Sequence, residues 1–155
     1  MNFEEGKEYS FVISDIIHLP DNDYFVIEYS DGRKFMMRKS FYNDNYSLAT
    51  GKKIICRVDK INCTGKIFFE PIHPYYSNGD KDVFEITGES TRRFKKTEGT
   101  YKVLTAINNK NDRAIVKETD VLNLNEFAIG ERIEASIKKI SRGELQLEEV
   151  KKLPG

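Results

Sequence analysis

A short basic run is the densest group of residues in this chain whose types and spacing could do recognisable chemistry. It consists of Arg92, Arg93, Phe94, Lys95 and Lys96. Lysine and arginine side chains bind phosphate oxygens, and an aromatic ring stacks on a nucleic acid base. The run therefore predicts contact with a nucleic acid strand. The alternative is a solvated loop whose charge is balanced by Glu89 and Glu98.

The aromatic rings are a second candidate for binding chemistry, because they are distributed unevenly. Residues 1–78 contain fourteen of the phenylalanine and tyrosine residues, and residues 79–155 contain four. A domain of this size cannot enclose fourteen large rings. We therefore expect several of them to lie at the surface or against a second domain.

Residues that typically catalyse reactions or bind metals are sparse. The chain has two histidines, His18 and His73, and two cysteines, Cys56 and Cys63, and none of them form a Cys-x-x-Cys or His-x-x-x-His pair. There is also no Gly-x-Ser-x-Gly sequence and no phosphate-binding loop. We expect no catalytic residues, no metal and no cofactor.

Composition adds broad limits. The chain has 25 basic and 25 acidic residues, so a partner of strong negative charge can be attracted only by a local patch. No segment approaches the ~18 apolar residues of a membrane span, and the first residues are acidic and lack an apolar signal region. Two cysteines do not indicate a disulfide framework. These features predict a cytoplasmic protein that does not bind membranes.

An internal repeat defines the elements that must position the candidate residues. Residues 51–70, GKKIICRVDKINCTGKIFFE, align with residues 130–148, GERIEASIKKISRGELQLE, with one gap. Both copies alternate apolar and polar residues and turn at a glycine, which is typical of a β-hairpin. Cys56 takes the place of Ala135, so we expect it to be buried. Phe68 points outward where the second copy has Gln146, so we expect it to contact the other barrel, which is the commonest explanation, a partner or a base.

The residues before each hairpin complete two similar halves. Each half contains a long first strand, a hairpin of strands two and three, and a connector of about ten residues. The segment PIHPYYSNGDKD, residues 71–82, has the composition of a linker. We therefore predict two domains, residues 1–78 and residues 79–155, each with five antiparallel strands.

This order of strands resembles the S1-type and cold-shock-type OB barrels. The resemblance depends on the glycine-led fourth strands, GKKIICRVDKI and GERIEASIKKI, and on the following GKIFFEP and GELQLE. It implies an all-β chain of two tandem five-stranded OB-fold barrels. Strand two (YFVIEYS) and strand three (RKFMMRKSF) lack the glycines that S1 domains usually carry there. An SH3-like small barrel is the competing interpretation.

The resemblance also implies where a ligand would bind. OB-folds stack single-stranded bases on strands two and three, with basic residues along the backbone. In the first half these positions are Tyr24, Tyr29, Arg33, Lys34, Arg38 and Lys39. In the second half the basic run lies between strands one and two, where OB-folds border the ligand groove. The alternative is that the rings of strand two pack in the core or on the second barrel.

Two functions follow from these observations. The first is non-catalytic binding of single-stranded nucleic acid, with RNA favoured over DNA, by the aromatic surface of the first barrel and the basic loop of the second. The second is a scaffold or adaptor whose aromatic surface docks a protein partner, which zero net charge fits better.

Overall fold

The computed structural model describes residues 2–154, and its regular structure consists of β-strands and three short 3-10 turns. The strands are β1 (Glu8–His18), β2 (Asp23–Glu28), β3 (Lys34–Arg38), β4 (Lys53–Ile61), β5 (Ile67–Pro71), β6 (Lys81–Arg93), β7 (Thr100–Ile107), β8 (Arg113–Lys117), β9 (Arg132–Ser141) and β10 (Glu144–Lys152). The turns are Lys39–Phe41, Asp44–Tyr46 and Leu124–Glu126. The predicted all-β class is confirmed. Within residues 2–154, no helix has the length and apolar character needed to cross a bilayer.

The chain divides into two compact units, Met1–Pro74 and Tyr75–Gly155. Each unit contains five strands and its own cluster of buried apolar side chains. The division falls slightly before the boundary predicted after residue 78. Tyr76 is only 9% exposed and packs in the core of the second unit, so the rings of Tyr75 and Tyr76 do not belong to the first.

The five strands of the first unit form a sheet in the order β3-β2-β1-β4-β5. Within the described residues the edge strands β3 and β5 form no hydrogen-bonded pair, so this sheet is not closed by backbone pairing as a predicted barrel would be. Aromatic packing joins its edges instead. Phe35 of β3 and Phe69 of β5 lie with ring centroids 4.8 Å apart, and Phe3 contacts both.

The second unit closes on itself in the order β10-β8-β7-β6-β9. Closure is completed by β8 and β10, which pair in parallel through Ala114 with Leu145 and Ile115 with Gln146. Repeat alignment and register place Ala114 where the first unit has Phe35. The small alanine leaves room for the two strands to pair, whereas the ring of Phe35 occupies that space.

The two sheets repeat the same backbone details. The β1–β2 register shifts between Ile13 and Asp15, and the β6–β7 register shifts between Ile86 and Gly88. The Gly51 N–H donates to the Ile13 carbonyl at 2.7 Å, and the corresponding glycine, Gly130, donates to the Ile86 carbonyl at 2.8 Å. The two halves of the sequence repeat therefore also share the bulge in the first strand and the glycine hydrogen bond before the fourth strand.

The phenylalanine and tyrosine rings of the first unit are mostly enclosed, and of those in residues 2–74 only Phe68 is exposed. The buried rings are Phe3, Phe11, Phe25, Tyr46 and Phe69. Further rings, Tyr9, Tyr29, Phe35 and Tyr42, are partly buried and pack against this cluster. Most of the contacts made by Phe3 are edge-to-face, an arrangement that packs many rings into a small volume.

Candidate nucleic-acid interface

The second unit presents an exposed aromatic ring, packed on a half-buried one, where β6 passes into β7. The Phe94 N–H donates to the Gly99 carbonyl at 3.2 Å, which closes the loop between these strands. The loop positions Phe94 beside Tyr101 at the start of β7, with ring centroids 4.9 Å apart and planes inclined by 44°. Phe94 is 41% exposed and Tyr101 is half-buried. One ring therefore offers a face to solvent while the other supports it.

Cationic side chains border this ring pair. Lys117, at the end of β8, places its Nζ 5.9 Å from the centroid of Tyr101. Arg93, Lys95 and Lys96 are exposed on the end of β6 and on the loop. We call these residues together the Phe94 surface: Arg93, Phe94, Lys95, Lys96, Tyr101 and Lys117. It combines a stacking ring with four positive charges.

Arg92 differs from the other cations of the basic run. Its Nη1 and Nη2 donate to Oε1 and Oε2 of Glu144, both at 3.2 Å. Arg92 lies directly opposite Tyr101 in the β6–β7 register, so it adjoins the Phe94 surface. Its charge is neutralised by Glu144 in this structure.

The acidic residue expected to balance the basic run is used elsewhere. Glu89 places Oε2 3.2 Å from Nζ of Lys102, which also donates to the side chain of Asn125. Glu98 is exposed within the loop. Glu89 is therefore paired outside the basic run, just as Arg92 of the run is paired with Glu144.

Two of the site residues predicted in the first unit lie together. Tyr24 and Arg38 are opposite each other in the β2–β3 register, and the Arg38 guanidinium lies 6.0 Å from the Tyr24 ring and 5.2 Å from the Phe41 ring. The Tyr24 hydroxyl donates to Asp21 at 2.5 Å, and this bond lowers the pKa of the Asp21 carboxyl. Arg38 also lies 3.7 Å from that carboxylate. We call Tyr24, Arg38 and Phe41 the Arg38 cluster.

Tyr29 and Arg33 are engaged in packing rather than presented for stacking. The Tyr29 ring lies 5.0 Å from Phe3 and 5.5 Å from Phe11, so it belongs to the core cluster. The Arg33 guanidinium lies 4.4 Å from the Phe3 ring, and its Nε donates to Asp31 at 2.8 Å. Strand position alone did not reveal that Phe3 folds back against these residues.

The other predicted residues of the first unit, Lys34, Lys39 and Phe68, are exposed. Lys34 lies 3.7 Å from Glu28, and Lys39 begins a 3-10 turn. Phe68 is 37% exposed, as its outward position predicts, with Nζ of Lys66 at 5.0 Å from its ring. Lys39 lies in the same 3-10 turn as Phe41 of the Arg38 cluster.

A groove of about 1000 Å³ crosses the outer face of the first sheet. The exposed apolar side chains that line it are Val12, Ile55 and Ile72, which are 37%, 49% and 43% exposed. Sequence reasoning missed this groove, although Ile55 was visible as an apolar residue at an outward position of β4. Its lining suits an apolar side chain better than a phosphate.

Two ionisable side chains of the first unit, Cys56 and Tyr42, have raised pKa values. Cys56 is fully buried, as the repeat predicts, and burial raises the pKa of its thiol far above the ordinary value. The thiol therefore stays protonated and unreactive. Burial likewise raises the pKa of Tyr42, whose hydroxyl donates to Glu70 at 3.2 Å.

A scan against protein-family models finds no match for this chain, and a search of curated proteins finds no significant similarity. The functional conclusion therefore rests on the geometry of the two units.

Proposed function

We propose that this chain is a tandem OB-fold protein that binds single-stranded nucleic acid, RNA in preference to DNA, through the Phe94 surface. The observation that carries the proposal is the exposed ring of Phe94, packed on the half-buried ring of Tyr101 and bordered by four cations. Binding is non-catalytic.

The strand arrangement supports the OB assignment. In the second unit, strands one, two and three are followed around the barrel by strand five and then strand four. OB barrels have this Greek-key order, and they bind oligonucleotides on strands two and three and the loop between strands one and two. The Phe94 surface occupies those elements. The first unit has the same order of strands and the same bulge in its first strand.

The chemistry of the Phe94 surface suits a single strand. Stacking of one base on an exposed ring contributes about 1–3 kcal/mol and does not require a particular base. Lysine and arginine contacts to phosphates release counterions, so affinity falls as salt rises. A duplex keeps its bases stacked on each other and offers no free face to Phe94. We therefore expect preference for single strands.

The Arg38 cluster supplies a smaller contact in the first unit. Arg38 lies between two partly exposed rings, and its guanidinium can stack on a base or bind a phosphate. The nearby Asp21 carboxylate reduces its net attraction for anions. We therefore assign it a secondary role.

Fluorescence anisotropy with labelled 12-nucleotide strands tests the proposal. We expect the protein to bind single-stranded RNA at ~50 mM salt, more weakly at ~200 mM salt, and to bind a duplex of the same sequence less well. Phe94→Ala should weaken binding by about 5- to 150-fold, which corresponds to the loss of one stacked base.

Tyr75→Ala is the matched control. Tyr75 is 53% exposed and has Nζ of Lys110 at 4.7 Å from its ring, so it pairs a ring with a lysine outside the Phe94 surface. Its removal should leave affinity unchanged. Absence of binding at low salt, binding indifferent to salt, or equal losses in both variants would reject the proposal.

A protein-binding adaptor is the second candidate, because the groove of the first unit exposes Val12, Ile55 and Ile72 together. Its occupant would be an apolar segment of a partner protein. Pull-down after nuclease treatment separates the candidates: capture should persist for the adaptor and fail for Ile55→Glu. Leu122→Glu, at an apolar residue that is 87% exposed in the second unit, is the control. Capture that disappears with nuclease removes this candidate.

A further inference from the structure

We propose that Glu144 regulates the Phe94 surface by occupying Arg92 until a phosphate of the bound strand displaces it. The inference rests on the proposed function, because it names a regulatory contact of the same surface. Glu144 thereby acts as an internal competitor of the ligand.

The geometry of the ion pair makes exchange feasible. Both terminal nitrogens of Arg92 face both oxygens of Glu144, so the fork of the guanidinium is fully used. A phosphate presents the same two-oxygen edge to this fork as a carboxylate does. Both distances are 3.2 Å, longer than the about 2.7–2.9 Å of the strongest charge-assisted bonds. A phosphate can therefore make shorter contacts with the same two nitrogens.

Replacement of Glu144 by a phosphate at Arg92 affects strand binding because of where the ion pair lies. Arg92 lies opposite Tyr101 across β6 and β7, beside the ring pair that receives a base. Its side chain is 39% exposed, whereas that of Glu144 is 20% exposed. Solvent and ligand can therefore reach the guanidinium. A strand whose base stacks on Phe94 brings a phosphate next to the Arg92 guanidinium, which is already partly exposed.

The residues of the first unit that correspond to this pair cannot form an ion pair. Glu144 corresponds to Lys66 in the repeat, and the shared bulges align Arg92 with Leu19. Leu19 follows the end of β1, and Lys66 precedes β5. At this pair of positions the described residues therefore form an ion pair in the unit that carries the Phe94 surface and not in the other.

Glu144 also opposes binding directly, because a carboxylate beside a phosphate is repulsive. A ligand must provide a phosphate at Arg92 to offset the loss of the internal partner. Isolated anions, which lack the stacked base, do so poorly. The pair therefore favours strands that engage the rings and the cation at the same time.

Glu144→Gln tests the inference, with the full chain and the labelled 12-nucleotide RNA. The variant should bind about three- to tenfold more tightly, since Arg92 is released and a repulsive charge is removed. The slope of log affinity against log salt should change by less than the about 0.7 of one phosphate contact, because the bound strand contacts Arg92 in both chains.

Glu131→Gln is the matched control. Glu131 lies 3.4 Å from Lys152 in the same unit, so this variant removes an ion-paired carboxylate and changes the net charge equally. It should leave affinity and salt slope unchanged. Equal tightening in both variants would assign the effect to net charge and overturn the inference.

A double-mutant cycle with Arg92→Gln determines whether Glu144 acts through Arg92. In the Arg92→Gln background, Glu144→Gln should tighten binding by no more than about half of its effect in the wild-type chain, because no guanidinium remains to be released. Full tightening in that background would indicate simple repulsion and would overturn the inference.

Thermal unfolding of each variant completes the test. A lower melting temperature for Glu144→Gln without tighter binding would mean that the ion pair is structural. In that case the inference fails while Phe94-dependent binding of the wild-type chain leaves the proposed function intact. If neither the wild-type chain nor Glu144→Gln binds any strand, both fail together.

Discussion

Single side chains tie the beginning of the second unit to its barrel through a buried polar network. The Asn108 amide donates to the Tyr76 hydroxyl and to Asp112, each at 3.1 Å, and the Tyr76 hydroxyl donates to Asp82. Asp112 is only 1% exposed, and its backbone N–H donates to the Asn108 side chain at 2.8 Å. The network joins the segment before β6 to the turn between β7 and β8.

This network predicts how stability responds to alkaline pH. Burial, together with the bond to Asp82, raises the pKa of Tyr76 above the ordinary value of 10.0. As pH rises above about 10, the unfolded chain loses this proton before the folded chain does, so the free energy of unfolding falls. Tyr76→Phe should flatten that fall and cost about 1–3 kcal/mol at neutral pH.

Urea unfolding between pH 7 and an upper limit of about 11 measures the effect. Tyr75→Phe is the control, because Tyr75 is the adjacent tyrosine and is 53% exposed. It should keep the alkaline fall of the wild-type chain. An unchanged pH profile in Tyr76→Phe would contradict the assignment.

The sequence predicted the site residues whose exposure depends only on their neighbours in the chain. Phe94 within its basic run and Phe68 at its outward strand position are both exposed. Tyr101 and Lys117 were missed as partners, because their proximity depends on the register of β7 and β8. The Arg92–Glu144 pair was missed for the same reason, since it joins residues far apart in the chain.

At the scale of elements, the entry into the fourth strand of each unit depends on a glycine. Gly51 and Gly130 have φ values of +90° and +91°, in the left-handed region that disfavours side chains. A Cβ at either position would meet no atom within 4 Å, so the cost of adding one is conformational rather than steric.

Gly51→Ala and Gly130→Ala should therefore each destabilise the protein by about 1–2 kcal/mol. Chemical denaturation measures the loss, and Thr50→Ala, at an exposed neighbouring position, serves as the control. Equal stability of either glycine variant and the wild-type chain would show that the turn can adopt another conformation.

Strand positions and hairpins were predictable because alternation and glycine turns are local signals. Closure was not, because it depends on which side chains meet between strands three and five. Phe35 and Phe69 fill that space in the first unit, whereas Ala114 permits pairing in the second. A pattern of apolar and polar residues does not distinguish a phenylalanine from an alanine at an inward position.

At the scale of the whole molecule, a net charge of zero does not reveal the local positive charge of the Phe94 surface. The charges of the 25 basic and 25 acidic residues sum to zero, but the residues are not evenly paired with one another. Glu89 pairs with Lys102, whereas Arg92 of the basic run pairs with Glu144. Zero net charge therefore argues against indiscriminate attraction of polyanions, but it does not argue against a local site.

The two separate cores lead to a prediction about how the units depend on each other. Phe11 and Phe84 occupy equivalent positions and are 2% and 1% exposed in their respective clusters. Truncation of a buried phenylalanine to alanine costs about 3–5 kcal/mol, a large part of the stability of a small domain. Each substitution should therefore open mainly its own unit.

Hydrogen exchange measured by mass spectrometry shows whether a substitution opens one unit or both. Phe11→Ala should lose amide protection in β1–β5 and keep it in β6–β10, while Phe84→Ala should do the reverse. Since the Phe94 surface lies wholly in the second unit, Phe11→Ala should retain most of the affinity for single-stranded RNA and Phe84→Ala should lose it. Loss of protection throughout the chain from either substitution would mean that the two cores fold as one.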